Sequence, residues 1–83
     1  MYKILAAHRI DKKISRIDKR YGRALAEAVK LISQNPLIGK PLSGDFKGQY
    51  SFRVGPYRLI YTFDPKAQIV FLANVDHRKD VYR

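Results

Sequence analysis

The sequence predicts a small α/β domain of the α+β type: an antiparallel sheet of about four strands with an N-terminal αα-hairpin packed on one face, in the order β-α-α-β-β-β. Three observations predict it. Apolar residues recur at helical spacing in two consecutive stretches before residue 35. Three runs between residues 50 and 76 are rich in aromatic and β-branched residues and are separated by turn chemistry. A segment dense in proline and glycine joins the two halves. With 83 residues, no internal repeat and no linker, residues 1–83 form a single domain.

Residues 2–7 (YKILAA) are a short apolar run and read as a first strand. Ile10, Ile14, Ile17 and Tyr21 then fall at i, i+4, i+7 and i+11, one stripe of a helix, with Lys12, Lys13, Arg16, Lys19 and Arg20 on the opposite side. Gly22 interrupts. Leu25, Ala28, Val29 and Ile32 mark a second amphipathic helix, and Asn35-Pro36 stops it. The pattern predicts two helices of roughly 12–14 residues each, paired as a hairpin. Residues 36–49 (PLIGKPLSGDFKGQ) read as a loop, long for so small a domain, and long loops are often functional. YSFRV, YRLIYTF and QIVFLANV follow, separated by Gly55-Pro56 and Asp64-Pro65-Lys66. They read as a three-stranded meander, its last strand apolar on both faces as a buried central strand would be.

A two-residue turn at Gly55-Pro56 suits type II′, with glycine at the first central position and proline tolerable at the second. The register then sets Val54 opposite Tyr57, Arg53 opposite Arg58 and Phe52 opposite Leu59. Period-2 alternation puts Tyr50, Phe52, Val54, Tyr57, Leu59, Tyr61 and Phe63 on a core face. Ser51, Arg53, Arg58, Ile60 and Thr62 lie on the other. Two arginines opposed across a hairpin repel each other, and an anion between them relieves the repulsion.

Charge narrows the function. Seventeen Lys+Arg against seven Asp+Glu give a formal net charge of +10. The excess is spread along the chain, with nine basic and three acidic residues in 1–30 and eight and four in the remainder. A compact domain with such a field attracts polyanions: nucleic acid, an anionic membrane surface or an acidic protein. The basic helix face backs onto an ordinary core stripe, which argues against a membrane-surface role. The absence of cysteine excludes a disulfide framework and a thiolate zinc site. No apolar run approaches the ~20 residues of a membrane span. Met1–Ala7 is too weak for a signal peptide, so a reducing cytoplasm is the expected compartment.

The chain ends Asn74-Val75-Asp76-His77-Arg78-Lys79-Asp80-Val81-Tyr82-Arg83, a strand running into a cluster of His, Arg, Lys and Tyr. These types serve phosphoryl chemistry: histidine gives and takes protons near neutral pH, arginine clamps phosphate with a planar fork, and tyrosine stacks on a base or moves a proton. The segment Tyr50–Tyr61, with an Arg two residues after an aromatic, a Gly turn and then Tyr57-Arg58-Leu59-Ile60-Tyr61, resembles the RelE/ParE toxin superfamily. The ending Val75–Tyr82 resembles its RelE branch. The likeness covers nearly the whole chain.

The resemblance implies a type II toxin that cleaves messenger RNA in the ribosomal decoding site, and a cognate acidic, RelB-like antitoxin that wraps it in a toxin–antitoxin hetero-oligomer. It implies that Arg58 acts on the scissile phosphate, that Arg53 matches a basic residue on the preceding strand, and that His77, Arg78 and Tyr82 match the catalytic cluster. Where some members carry a lysine pair on the preceding strand, this chain has Ser51 at one of the two positions. Lys40, Lys47 and Lys79 are further candidates for binding RNA phosphates. The chemistry expected is metal-independent and cofactor-free: the 2′-hydroxyl attacks the adjacent phosphate, which needs a base, cations for the charged phosphorane, and an acid for the leaving 5′-oxygen. The competing readings are a ParE-like toxin that poisons DNA gyrase and cuts no RNA, and a plain basic nucleic-acid-binding domain.

Overall fold

The computed structural model describes residues 1–77. Its elements are β1 (Lys3–Ala6), α1 (His8–Ser15), α2 (Gly22–Gln34), β2 (Lys40–Pro41), β3 (Tyr50–Val54), β4 (Tyr57–Asp64) and β5 (Ile69–His77), with short 3₁₀ turns at Lys19–Tyr21, Pro36–Ile38 and Gly44–Phe46. The α+β class and the helices-on-one-face arrangement are as expected. The sheet has five strands in the order β1-β5-β4-β3-β2. It is mixed, because β1 joins β5 in parallel while the other pairs are antiparallel.

Two expectations about local structure change. The first helix stops at Ser15, well short of the predicted length. Its extension would stack Lys12, Arg16 and Arg20 four residues apart, where like charges repel. Asp18 offers the backbone an alternative: its Oδ1 accepts from Arg20 N at 2.9 Å and starts the 3₁₀ turn. The apolar stripe nonetheless continues, and Ile14 and Ile17 both pack against the core. In the segment read as loop, Lys40 and Pro41 form a two-residue edge strand on β3. So short a strand has no period to detect, and proline is acceptable only because it lies at an edge.

The core lies between the helices and one sheet face. Ile10 of α1, with Leu25, Ala28 and Ile32 of α2, meets Val54, Leu59, Tyr61, Val70, Leu72 and Val75. Leu72 and Val75 face inward together although three residues apart. A bulge reconciles them: Ile60 pairs with Asn74 and Tyr61 with Leu72, leaving Ala73 as the extra residue. The α2 helix ends where Asn35-Pro36 predicts, with Asn35 Oδ1 accepting from Leu37 N at 3.2 Å.

Two glycines are set by close approach. Gly55 has φ 59°, and a Cβ there would lie 2.6 Å from the Tyr21 ring. Gly39 packs on the fully buried Tyr61, whose hydroxyl would lie 2.3 Å from a Cβ at that position. That hydroxyl donates to the Pro36 carbonyl and accepts from Gly39 N at 3.0 Å. The loop is thereby pinned to the sheet centre, and β2 is placed beside β3. Burial pushes the Tyr61 hydroxyl above the ordinary tyrosine value of 10.0, and its bond from Gly39 only partly offsets this.

Candidate functional site

The sheet face away from the helices has no second layer among the described residues, and its side chains form three rows. Arg53, Arg58 and Asp76 are successive partners across β3, β4 and β5. Lys40, Ser51, Ile60 and Asn74 form the next row across β2 to β5. Leu5, Phe71 and Thr62 form a third. The arginine pair is the one that the Gly55-Pro56 turn predicts, down to its partner positions.

Arg58 is half-buried and donates to Ser51 Oγ at 3.3 Å. Since Ser51 is the partner of Ile60, the guanidinium leans from its own row towards the next. There it helps explain why Ser51 and Ile60, both on the open face, are each only 4% exposed. Arg53 is exposed, with a long 3.4 Å contact from its Nε to the Gly55 carbonyl. Lys40 is exposed on the same face, beside Ser51. Lys47 is also exposed, but it follows the Gly44–Phe46 turn and no described contact ties it to the arginine row.

His77 ends β5 on the side of the sheet away from Arg58. Its strand partner is Tyr57, on the face opposite Arg58, and the two rings meet edge-on with centroids 6.0 Å apart. Tyr57 in turn meets Tyr21 at 5.5 Å, and the Arg20 guanidinium lies 5.8 Å from the Tyr21 ring. His77 thus ends an aromatic row on the helix side. The structure brings Arg53, Arg58 and Lys40 to one face and puts His77 at the strand end on the other. Arg78, Lys79 and Tyr82 lie outside the described residues.

Sequence reasoning missed two features. Asp76 and Asn74 sit at the edge of β5 beyond its pairing with β1 and both contact Lys13 of α1, at 3.2 and 3.0 Å. These residues are more than sixty positions apart, and no local pattern links them. Phe71, expected in a strand buried on both faces, is 43% exposed beside Leu5 at 38%, because no described element covers that part of the open face. On the helix side, the early end of α1 leaves an apolar groove of about 390 Å³ lined by Ile14, Ile17, Leu25, Ala26 and Val29. Among the described residues, no three His, Asp or Glu side chains converge as metal ligands would, and no helix is long and apolar enough to cross a membrane.

Known proteins share this arrangement. The family model for the ParE toxin of the type II toxin–antitoxin system parDE matches residues 3–82. Toxin RelG of Mycobacterium tuberculosis is 42% identical over 66 residues, which cover 74% of this chain and 76% of that one. The toxin–antitoxin complex RelBE2 of M. tuberculosis contains a chain that matches this one with a TM-score of 0.81 and 33% identity, over 93% of this chain and 98% of that chain. The isolated RelE toxin of E. coli matches over 99% and 92% with a TM-score of 0.80; at 20% identity this is a likeness of fold. The chain belongs to the RelE/ParE family of type II toxins, on its RelE-like branch.

Proposed function

We propose that this toxin is an endoribonuclease that cuts messenger RNA in the ribosomal decoding site. The observation that carries the reading is the opposed pair Arg53 and Arg58 on the sheet face away from the helices, with Lys40 beside them. Two cations directly across a hairpin cost stability in the free protein. A phosphate between them turns that cost into binding energy, and the planar forks suit its oxygens.

In the proposed reaction the 2′-hydroxyl of one nucleotide attacks the adjacent phosphorus, and the bond to the 5′-oxygen of the next nucleotide breaks. The products are a 2′,3′-cyclic phosphate and a 5′-hydroxyl. Arg58, held at Ser51 Oγ, meets the charge that grows on the phosphorane, while Arg53, Lys40, Lys47 and Lys79 hold flanking phosphates. His77, Arg78 and Tyr82 are the candidates for proton transfer and nucleotide stacking. His77 fits this role from the sheet end, where its strand runs out, and not as a neighbour of Arg58. No metal ion or cofactor is assigned a part.

The reading includes an acidic, RelB-like antitoxin. A net charge of +10 on 83 residues calls for neutralisation in trans, and the M. tuberculosis relative was crystallised as a toxin–antitoxin complex. Association with that partner is expected to slow as salt rises. The compartment proposed is the cytoplasm, where ribosomes are found.

Primer extension on message from cells expressing the toxin, repeated with purified toxin and programmed ribosomes, tests the activity. Discrete cuts within codons are expected. A second reading, a gyrase poison, is favoured by the ParE description of the matching family model. Intact message together with gyrase trapped on cleaved DNA would establish that reading instead.

A further inference from the structure

We propose that Lys13 is a positioning residue for the RNA-cutting face: it holds the Asp76 carboxylate at the rim of β5 and so keeps Arg58 free of its own cross-strand counter-ion. The inference rests on the endoribonuclease reading and adds to it a residue that touches neither RNA nor Arg58.

The geometry argues it from three sides. Arg58 and Asp76 are strand partners. Opposed residues on one face of an antiparallel pair have Cβ atoms about 5 Å apart, and opposite charges there attract. Left to themselves, the two would form an ion pair and Arg58 would meet RNA already neutralised. Asp76 is turned elsewhere. Its Oδ2 lies 3.2 Å from Lys13 Nζ, and its Oδ1 accepts from His77 N at 3.0 Å. Arg58 is left to the neutral hydroxyl of Ser51.

The reason lies in the sheet. The β1 strand pairs with β5 only as far as Leu72, so among the described residues the edge of β5 beyond that point has no strand beside it. Side chains take its place. Asn74 Oδ1 accepts from Val75 N at 2.9 Å, as Asp76 does from His77 N. Lys13, carried to this edge by α1, bridges both acceptors. One ammonium therefore closes an open strand edge, which would otherwise invite another strand, and draws a carboxylate off the arginine row. The Lys13–Asp76 side chains remain 41% and 35% exposed.

The test uses purified full-length toxin separated from its antitoxin, with two readouts: single-turnover cleavage of message on programmed ribosomes, and anisotropy of a short fluorescent single-stranded RNA. Lys13→Met is expected to lose about fivefold in both, the size of a partly exposed ion pair. Adding Asp76→Asn removes the competing carboxylate and is expected to restore both. Adding Asp11→Asn instead restores the same net charge without touching Arg58, and is expected to restore neither. In an Arg58→Ala background, Lys13→Met is expected to have no further effect. Lys13→Arg keeps the cation and is expected near wild type; Lys13→Gln replaces Lys13→Met if the latter melts early.

Equal rescue by Asp76→Asn and Asp11→Asn overturns the proposal in favour of net charge. Failure of Asp76→Asn to rescue also overturns it, since Asp76 then acts in the chemistry itself. Wild-type cleavage by both Lys13→Met and Lys13→Gln removes the inference and leaves the endoribonuclease reading standing. A wild type that neither cuts nor binds RNA removes both.

Discussion

The two faces of the sheet are built from the same strands and share neither their chemistry nor their cover. On the helix side, Leu59, Tyr61, Val70 and Val75 are sealed under α1 and α2. On the other side, alternate residues of the same strands present Arg53, Arg58, Asp76 and Phe71. The period of two along β4 puts the adjacent Arg58 and Leu59 on opposite faces, Leu59 in the core and Arg58 on the open side. The comparison teaches that one set of strands can seal a core on one face and, among the described residues, carry charged side chains without a second layer on the other. It also predicts that substitutions on the two faces fail in different assays.

The largest expected effect is on the open face. In the proposed reaction Arg58→Ala removes a preorganised cation aimed at developing charge, which is expected to cost about 10²–10³ in cleavage rate. Its melting transition should fall only modestly, since Arg58 lies outside the cluster beneath the helices and contributes one hydrogen bond to Ser51 and part of the cover over Ile60. Toxicity in cells should vanish while antitoxin-free protein remains folded. Wild-type cleavage by purified Arg58→Ala would remove the site.

Leu59→Ala is the reciprocal experiment, one residue along the strand. Leu59 is fully buried, and truncating it should cost about 2–5 kcal/mol in unfolding free energy. At a temperature where the variant is still folded, its affinity for single-stranded RNA should match wild type. A parallel fall in stability and RNA affinity would mean that the two faces are not independent.

Tyr61→Phe probes how the loop is held to the core. It leaves the Pro36 carbonyl and the Gly39 N–H without the hydroxyl they share, at a cost of about 2 kcal/mol. The variant also has a pH signature. Burial raises the Tyr61 value above 10.0, so the unfolded chain loses this proton first as pH rises. The contribution is therefore complete below pH 10 and is lost above it. Urea midpoints taken through this range should fall more steeply for wild type than for Tyr61→Phe. Parallel curves would show that the hydroxyl titrates as it does in water.

Local chemistry explains which parts were legible in the sequence. The Gly55-Pro56 turn determines the β3–β4 register by itself, so the arginine pair and the core face of the hairpin follow from counting. Asn35-Pro36 ends α2 for a reason contained in two residues. What was not legible depends on distant partners. The two-residue β2 exists because Tyr61 pins the loop beside β3. The bulge at Ala73 exists because Leu72 and Val75 must both reach one core. The Lys13–Asp76 contact needs α1 to be docked before it can be seen. The face that His77 takes depends on that bulge too, since strand alternation beyond Ala73 pairs it with Tyr57 on the side away from Arg58.

The smallest effect falls within a single strand and sharpens the comparison most. Phe71 and Leu72 are adjacent in β5, with Phe71 43% exposed on the open face and Leu72 6% exposed in the core. Leu72→Ala should cost about 2–5 kcal/mol through lost burial and the cavity left behind. Phe71→Ala removes the larger side chain, yet its neighbours on that face, Leu5 and Thr62, leave much of the ring in water already. Its cost should stay near 1 kcal/mol, in the range of ordinary single substitutions. Hydrophobicity alone would rank the two the other way, so the pair isolates cover from residue type. Equal losses for Phe71→Ala and Leu72→Ala in isolated toxin would mean that the ring is covered in solution. The open face would then be smaller than the sheet, and the proposed RNA site would be confined to the arginine row and Lys40.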